Sequence, residues 1–339
     1  MKTSLRQDKS YPAVITVLFI LSVICIGATV ILGEFVLPLA IAFYAALITF
    51  ERNKHILSLI CAVIGFSMLL IPFSISSVWG GVSVICGILL YLLFRSGNSK
   101  SDTALILTFF LSAAIVFSFV LIAYKITGEF GLKSTVKYFL DLFNEFKTYF
   151  VESVMAFSSS VAEQAGELTA GHIGEITVSE ELLSESISMI FNMIISYIIV
   201  IAFLVSGVAI KLFTFIVRKN AEQSSPVHSW KFALPSIYAY SFLVVFLLSS
   251  FVSPLETFGI VIVNLSNIFT FIFLYLGFKA FKELLSKKGK PVLGVLIPVL
   301  GVIFLGNLAM DVLSSFGAVS TIISNKKINT NGDVGENKN

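Results

Sequence analysis

Residues 12–32 read PAVITVLFILSVICIGATVIL, a run of 21 residues without a charged side chain. A helix of about 20 residues rises about 30 Å, which matches the hydrocarbon layer of a bilayer. The run follows a basic tip formed by Lys2, Arg6 and Lys9, an arrangement that also opens a secretory signal. It is longer than the apolar part of a usual signal, however, and no A-x-A cleavage site follows before Glu34. We therefore interpret it as a retained first transmembrane helix.

About eight more apolar runs of comparable character follow along the chain. The composition agrees with them, since 57% of the residues are hydrophobic and 13% are charged, against about 25% charged in an average soluble domain. The sequence therefore predicts an all-α, polytopic integral membrane bundle of about nine transmembrane helices. After the first run, the predicted spans cover approximately 35–50, 56–73, 78–94, 103–124, 188–210, 233–252, 258–278 and 291–310.

Basic residues collect in alternate loops between these spans. Such a bias marks the cytoplasmic side, so the pattern predicts a multi-pass protein of the cell membrane with a cytoplasmic N-terminus. Lys326 and Lys327 in the tail fit only if a re-entrant or interfacial piece from about Leu308 to Ile323 returns the chain to that side, which the sequence leaves open. The predicted inner loops hold Arg52, Lys54, Arg95, Lys100, Arg218, Lys219, Lys282, Lys287, Lys288 and Lys290.

The order of the spans divides the chain into four regions. We expect an N-terminal five-helix membrane region over 1–124 and a C-terminal four-helix membrane region over 188–317. Between them lies an acidic extracytoplasmic segment, 125–187, and a polar tail covers 318–339. The net charge of +3 reflects this topology, and we expect no nucleic-acid partner.

The acidic segment begins with an amphipathic pattern. Its large apolar residues recur at helical spacing, which predicts one face of a long helix. This helix lies on the bilayer surface, forms a lid over an outward cavity, or docks another protein, and the sequence leaves these alternatives open. Residues 177–180 read TVSE, which has the form of a capping box, and we expect the helix that starts there to continue unbroken into the sixth span. The phenylalanines of the predicted face are Phe139, Phe143, Phe146, Phe150 and Phe157.

Two polar pairs interrupt the last predicted spans. Asn264 and Asn267 lie one turn apart in the eighth span, and Asn307 and Asp311 lie one turn apart in the ninth. Polar side chains in lipid face the protein interior, so these four residues are candidates for lining a cavity. The alternative is interhelical hydrogen bonding without a ligand, at about 0.6 kcal/mol per contact. Pro298 is expected to kink the ninth span.

Residues typical of catalysis or metal binding are sparse. The chain has no GxxxxGK[ST], HExxH or GxSxG motif, and its three histidines fall in predicted loops. Cys25, Cys61 and Cys86 all fall inside spans, where thiols serve as small apolar packing residues. We therefore expect a protein that is not an enzyme and has neither cofactor nor metal, and any pumping requires an external ATPase partner.

The C-terminal third carries a set of short motifs. Residues 225–235 read SPVHSWKFALP and open a span with a W-x-x-x-x-P element from Trp230 to Pro235. Over roughly residues 225–325 the chain resembles the YybS-like family, polytopic bacterial membrane proteins classed under a domain of unknown function. The other motifs are the run from Asn267 to Phe271, Leu276-Gly277-Phe278 before a lysine-rich loop, and Leu308-Ala309-Met310-Asp311 before the tail.

That family is distantly similar to the substrate-capturing subunits of energy-coupling-factor vitamin transporters. The resemblance implies a transport-related membrane subunit with a small-molecule binding cavity and an external energising partner. The alternative is a non-transporting membrane scaffold or regulatory protein that acts through the extracytoplasmic amphipathic helix. A cavity lined by the polar pairs favours the first function, whereas a solid bundle with an exposed phenylalanine face favours the second.

Overall fold

The computed structural model describes residues 11–51, 55–68, 77–168, 179–220, 232 and 234–336. Throughout these ranges the regular structure is helical, with no strand. A 3-10 turn, Gly33–Phe35, joins the first two helices. The helices are α1 (Tyr11–Leu32), α2 (Leu37–Glu51), α3 (Ile56–Ser67), α4 (Ser77–Arg95), α5 (Lys100–Thr127), α6 (Leu132–Leu168), α7 (Glu180–Asn192), α8 (Ile194–Asn220), α9 (Ser236–Ser249), α10 (Thr257–Lys287), α11 (Leu293–Leu305) and α12 (Asn307–Glu336).

Six of the described helices are long and apolar enough to cross a bilayer: α1, α4, α5, α8, α10 and α12. Four shorter apolar helices accompany them, namely α2, α3, α9 and α11. The nine predicted spans correspond to nine of these ten helices, although the sixth also includes the end of α7 and the ninth the start of α12, which confirms an all-helical membrane protein. The tenth, α12, has a 19-residue apolar stretch, Asn307–Asn325, where the sequence left open a re-entrant or interfacial piece.

The chain forms two compact units. Unit 1 comprises Met1–Ser118, Ile198–Phe242 and Thr270–Asn339, and unit 2 comprises Phe119–Tyr197 and Leu243–Phe269. Unit 2 thus contains the acidic segment, 125–187, which the sequence predicts on the extracytoplasmic side. The four-region division drawn from the sequence follows chain order and stays a prediction.

The N-terminal part of unit 1 is fixed by polar contacts between α2 and α3. The carboxylate of Glu51, the last residue of α2, accepts hydrogen bonds from the backbone N–H groups of Leu57 (2.7 Å) and Ser58 (3.0 Å). It thereby satisfies two of the backbone donors that the first turn of α3 leaves without intrahelical partners. The buried Tyr44 hydroxyl donates to the Ser58 carbonyl at 3.0 Å. The predicted burial of all three cysteines is confirmed, and all three are free thiols.

The ninth predicted span is broken, but not at the expected residue. Helix α11 continues through Pro298, and the break comes at Gly306, whose φ of +54° is a conformation that glycine adopts without a Cβ clash. A Cβ placed on Gly301 would lie 3.6 Å from the Cβ of Ala309, although about 12 Å of axial rise would separate the two in a continuous helix. Helices α11 and α12 therefore form a sharp hairpin.

The expected continuous helix leading into the sixth span is also broken. Helix α7 ends at Asn192, Met193 leaves the helical conformation, and α8 begins at Ile194. The N-cap of α7 is Ser179, whose hydroxyl accepts from the N–H of Leu182, so the helix begins later than the TVSE pattern predicts. Thr177 lies outside the described residues.

Candidate functional site

Asn264, on α10, lies against the break between α7 and α8. Its side-chain oxygen accepts from the backbone N–H of Ser196 at 2.9 Å, and its side-chain nitrogen donates to the carbonyl of Asn192 at 2.7 Å. The same nitrogen donates to the Ile260 carbonyl at 2.8 Å. In a continuous helix the Asn192 carbonyl and the Ser196 N–H would bond to each other, so the amide of Asn264 takes the place of one backbone hydrogen bond. Asn264 is buried, and its role is structural. We call its bonds to Asn192, Ser196 and Ile260 the Asn264 clasp.

Asn267 follows one turn later on α10 and is partly buried. Its neighbour Ser266 accepts a hydrogen bond of 3.3 Å from the Ser249 hydroxyl on α9. This stretch of α10 therefore makes polar contacts with α9 as well as with the break between α7 and α8. No hydrogen bond of the Asn267 side chain to another described residue is present. Both asparagines belong to unit 2.

Asn307 and Asp311 lie in unit 1, immediately after the hairpin turn at Gly306. Asn307 is the first residue of α12 and is exposed, whereas Asp311, one turn further, is partly buried. The backbone carbonyl of Asp311 accepts from the Ser314 hydroxyl at 3.0 Å, and this contact does not use its carboxylate. Because the two polar pairs belong to different units, the shared cavity that the sequence suggests stays a prediction.

A close helix crossing holds α12 against α10. A Cβ added to Gly277 would overlap the Leu313 carbonyl, and one added to Gly317 would overlap the Phe273 carbonyl. Small residues at such crossings let two membrane helices approach until their backbones touch. Asp311 therefore projects from a helix whose position is fixed by backbone contact six residues further along.

At the end of the apolar stretch of α12, the Asn325 side chain donates to the Leu234 carbonyl at 2.9 Å. Leu234 immediately precedes Pro235 and α9. The apolar stretch of α12, Asn307–Asn325, therefore ends beside the start of α9. Sequence reasoning missed this hairpin, although Gly306-Asn307 directly after an apolar run is a turn signal.

The phenylalanine face of α6 is divided between packed and exposed positions. Phe139 packs edge-on against Phe119 of α5, and Phe143 stacks on Phe191 of α7 with ring centres 4.0 Å apart. Phe146, Phe150 and Phe157 are 55%, 39% and 69% exposed. The predicted amphipathic helix is thus present as α6. Phe139 and Phe143 pack within unit 2, whereas Phe146, Phe150 and Phe157 keep an exposed apolar surface.

Comparison with known proteins adds one finding. The sequence model of the family described as "Predicted membrane protein (DUF2232)" matches residues 13–318, which is most of the chain and includes the N-terminal half that the motif resemblance did not cover. The search found no match among curated proteins and none among solved structures. With ten apolar helices among its described residues and a match over this length, the chain belongs to the DUF2232 family of predicted membrane proteins.

Proposed function

We propose that this protein is a transport-related membrane subunit that binds a small molecule at the α11–α12 hairpin. The observation that carries the proposal is the carboxylate of Asp311, partly buried within the apolar stretch Asn307–Asn325. An ionisable side chain inside a membrane helix costs about 2.5–3.5 kcal/mol on insertion scales, and such residues concentrate at substrate and ion pathways.

The backbone of the hairpin supports the same function. Helix α11 has 13 residues and rises about 20 Å, which is less than the thickness of the hydrocarbon layer. The turn at Gly306 therefore lies at membrane depth, where non-helical backbone is stable only if it is buried in protein or lines a polar cavity. Interrupted helices that expose backbone polar groups at this depth are the usual binding elements of secondary transporters.

The chemistry of the hairpin indicates a class of ligand. The carboxylate of Asp311 attracts a cationic group or accepts from a hydrogen-bond donor, and the exposed amide of Asn307 lies one turn away. The Asn264 clasp takes no part, because its amide already bonds to three backbone groups. A small polar molecule with an amine or hydroxyl groups fits this donor and acceptor set.

We further propose a cytoplasmic N-terminus and a cytoplasmic tail. The loop that joins α4 to α5 is flanked by Arg95 and Lys100, and the end of α8 carries Arg218. Phe94 at the end of α4 packs edge-on against Phe213, two turns before the end of α8, so these predicted inner ends lie close together in unit 1. The hairpin then returns α12 toward Leu234, just before α9. Basic residues at a common end of the helices favour the cytoplasmic side.

Energy for transport, in this proposal, comes from a separate ATPase subunit, and the protein itself catalyses no reaction. The test is purification of the full-length protein from its native membrane in mild detergent, followed by mass spectrometry of the co-purifying proteins and of the small molecules released on denaturation. The proposal predicts a stoichiometric ATPase and at least one stoichiometric small polar molecule. A preparation that contains neither, at full yield of folded protein, contradicts it.

A second function, a membrane scaffold that acts through α6, is favoured by the exposed Phe146, Phe150 and Phe157. A photoreactive benzophenone residue at position 150 distinguishes the two functions, with position 152, on the opposite face of the helix, as the control. Crosslinks from position 150 to one protein partner support a scaffold. Crosslinks to lipid alone support an interfacial helix within the transport-related subunit, since an amphipathic helix at a bilayer surface buries its apolar face in the lipid.

A further inference from the structure

Helices α6 and α7 of unit 2 pack side by side as an antiparallel pair. Phe143 of α6 stacks on Phe191 of α7 with ring centres 4.0 Å apart. One turn further along α6, the Lys147 ammonium donates to the Ser188 hydroxyl at 2.9 Å. These contacts advance along α6 while they go back along α7, so the two helices run in opposite directions. We call them the α6–α7 pair.

One side of this pair is apolar on both helices. Phe146 immediately precedes Lys147, and Ile190 immediately precedes Phe191, so each is turned by about 100° from a contact residue in the same rotational sense. In antiparallel helices, the same sense of rotation leads to the same side of the pair. Phe146 is 55% exposed and Ile190 is 61% exposed. We call this side the apolar side, and its members are Phe146, Phe150 and Phe157 of α6 and Ile190 of α7.

The stretch of α6 that bears Phe150 and Phe157 has little charge. Between 148 and 160 the only charged side chain is Glu152, which is exposed. Lys133 and Lys137 are confined to the first two turns of α6, and residues 161–178 add three glutamates and no lysine or arginine. Four serines of α6 donate to backbone carbonyls of the same helix at 2.7 to 2.9 Å, so their hydroxyls are satisfied locally: Ser153, Ser158, Ser159 and Ser160.

The apolar side continues into a surface that lipid covers. A single residue, Met193, separates α7 from α8, whose residues Ile194–Lys219 are long and apolar enough to cross a bilayer. Exposed apolar side chains cross this break at helical spacing, since Ile190, Ile194 and Tyr197 are 61%, 42% and 41% exposed. The exposed apolar surface of a spanning helix faces lipid acyl chains. The α6–α7 pair therefore begins at the bilayer with its apolar side in line with that surface.

We propose that the apolar side of the α6–α7 pair inserts between the lipids of the adjacent leaflet and responds to the packing of their acyl chains more than to the charge of their headgroups. Amphipathic helices bind a bilayer through buried apolar area and through attraction to anionic lipids. The first contribution dominates here, because the phenylalanines are large and the charge near Phe150 and Phe157 is sparse and acidic. Bulky side chains enter most readily where acyl chains leave gaps, so loosely packed lipid favours insertion. This proposal does not depend on a ligand at the α11–α12 hairpin.

The test uses single cysteines in the full-length protein, labelled with the fluorophore nitrobenzoxadiazole and reconstituted in lipid nanodiscs. Phe150→Cys and Ile190→Cys lie on the apolar side, and the controls Glu152→Cys and Glu185→Cys are exposed polar positions of the same two helices. Quenching by phosphatidylcholine with brominated acyl chains measures contact with lipid, and quenching by iodide measures contact with water. We expect lipid quenching at least about threefold stronger at the apolar positions than at their controls, and the reverse order for iodide.

The lipid composition then tests the response to packing, at a constant fraction of brominated lipid. Lipid quenching at Phe150→Cys in dioleoylphosphatidylcholine should fall by about half or more when cholesterol tightens the acyl chains, and by less than about a fifth when phosphatidylglycerol is added. If Phe150→Cys fails to fold, Phe157→Cys takes its place with the same expected results.

Three results would overturn the proposal. The first is equal lipid quenching at the apolar positions and their controls. The second is a larger response to phosphatidylglycerol than to cholesterol. The third is energy transfer between labelled copies at position 150 without lipid quenching, which would assign the apolar side to a second copy of the chain.

Discussion

The side-chain amide of Asn264 joins the carbonyl of Asn192 to the N–H of Ser196, with bonds of 2.7 Å and 2.9 Å. These two backbone groups are i and i+4 partners, so a side chain of α10 replaces one backbone hydrogen bond across the break between α7 and α8. In a bilayer an interrupted helix is stable only when the freed backbone groups find new partners. Asn264 supplies both of them.

Replacing Asn264 therefore tests whether the clasp stabilises unit 2. Asn264→Leu removes both bonds and leaves a buried carbonyl and N–H without this partner, which costs about 1–3 kcal/mol per unsatisfied group. We expect a clear fall in the melting temperature in detergent. Asn267→Leu, one turn away, is the control and should change stability by about 0.6 kcal/mol or less. Equal effects of the two substitutions would show that the clasp has no special role.

The Gly277–Gly317 crossing yields a second stability prediction. Alanine at either position places a methyl group against backbone carbonyls that cannot rotate away, and overpacking of this kind costs about 1–3 kcal/mol. Gly277→Ala and Gly317→Ala should each lower the melting temperature, and the pair should be less than additive because they disturb one contact. Gly207→Ala is the control, since no atom lies within 4 Å of its added Cβ. A control variant as unstable as the crossing variants would contradict the close approach.

Labelling with a membrane-impermeant thiol reagent tests the proposed topology. Single cysteines at Ser99, Ser286 and Thr330 should be shielded in intact cells and labelled after permeabilisation, while one at Thr169 should be labelled in intact cells. The three native cysteines are buried and add little background. Labelling of Thr330 with Ser99 and Ser286 shielded would place the tail outside and disprove the return of the chain by the hairpin.

The exposed phenylalanines of α6 should be protected by the bilayer surface. Phe146→Ser/Phe150→Ser removes two large apolar side chains, each worth roughly 1.5–3 kcal/mol when buried, and should increase protease cleavage of 125–187 in native membranes. Asn144→Ser/Thr148→Ser changes exposed polar residues of the same helix and should leave cleavage unchanged. Identical cleavage of wild type and the phenylalanine variant would show that this face is not covered.

The helical membrane class could be read from the sequence because a bilayer imposes a simple rule on length and apolarity. Residues 12–32 satisfy the rule by themselves, without knowledge of any neighbour. The alternation of basic loops likewise follows from a local bias, and the spacing of the phenylalanines fixed the face of α6.

The two helix breaks could not be predicted in the same way. Met193 interrupts α7–α8 at a site where a distant side chain, Asn264, takes the backbone partners, and nothing local marks that position. A kink was expected at Pro298, but α11 continues through that residue and the chain turns at Gly306. The positive φ of Gly306 reverses the chain more sharply than the missing N–H of a proline does. Asn264 and Asp311 are both polar residues within predicted spans and looked alike in the sequence. The structure distinguishes them, because the amide of Asn264 bonds to three backbone groups, whereas the bond of Asp311 to Ser314 uses its backbone carbonyl.

The proposal that Asp311 holds a ligand at the hairpin is tested by Asp311→Asn. The substitution keeps the volume of the side chain and removes its charge, and Asp102→Asn makes the same chemical change at an exposed position of α5. The measurement is the amount of small molecule released on denaturation of each purified variant, beside its melting temperature. We expect at least a tenfold loss of the bound molecule in Asp311→Asn at a nearly unchanged melting temperature, with full retention in Asp102→Asn. Full retention by a folded Asp311→Asn variant would contradict it.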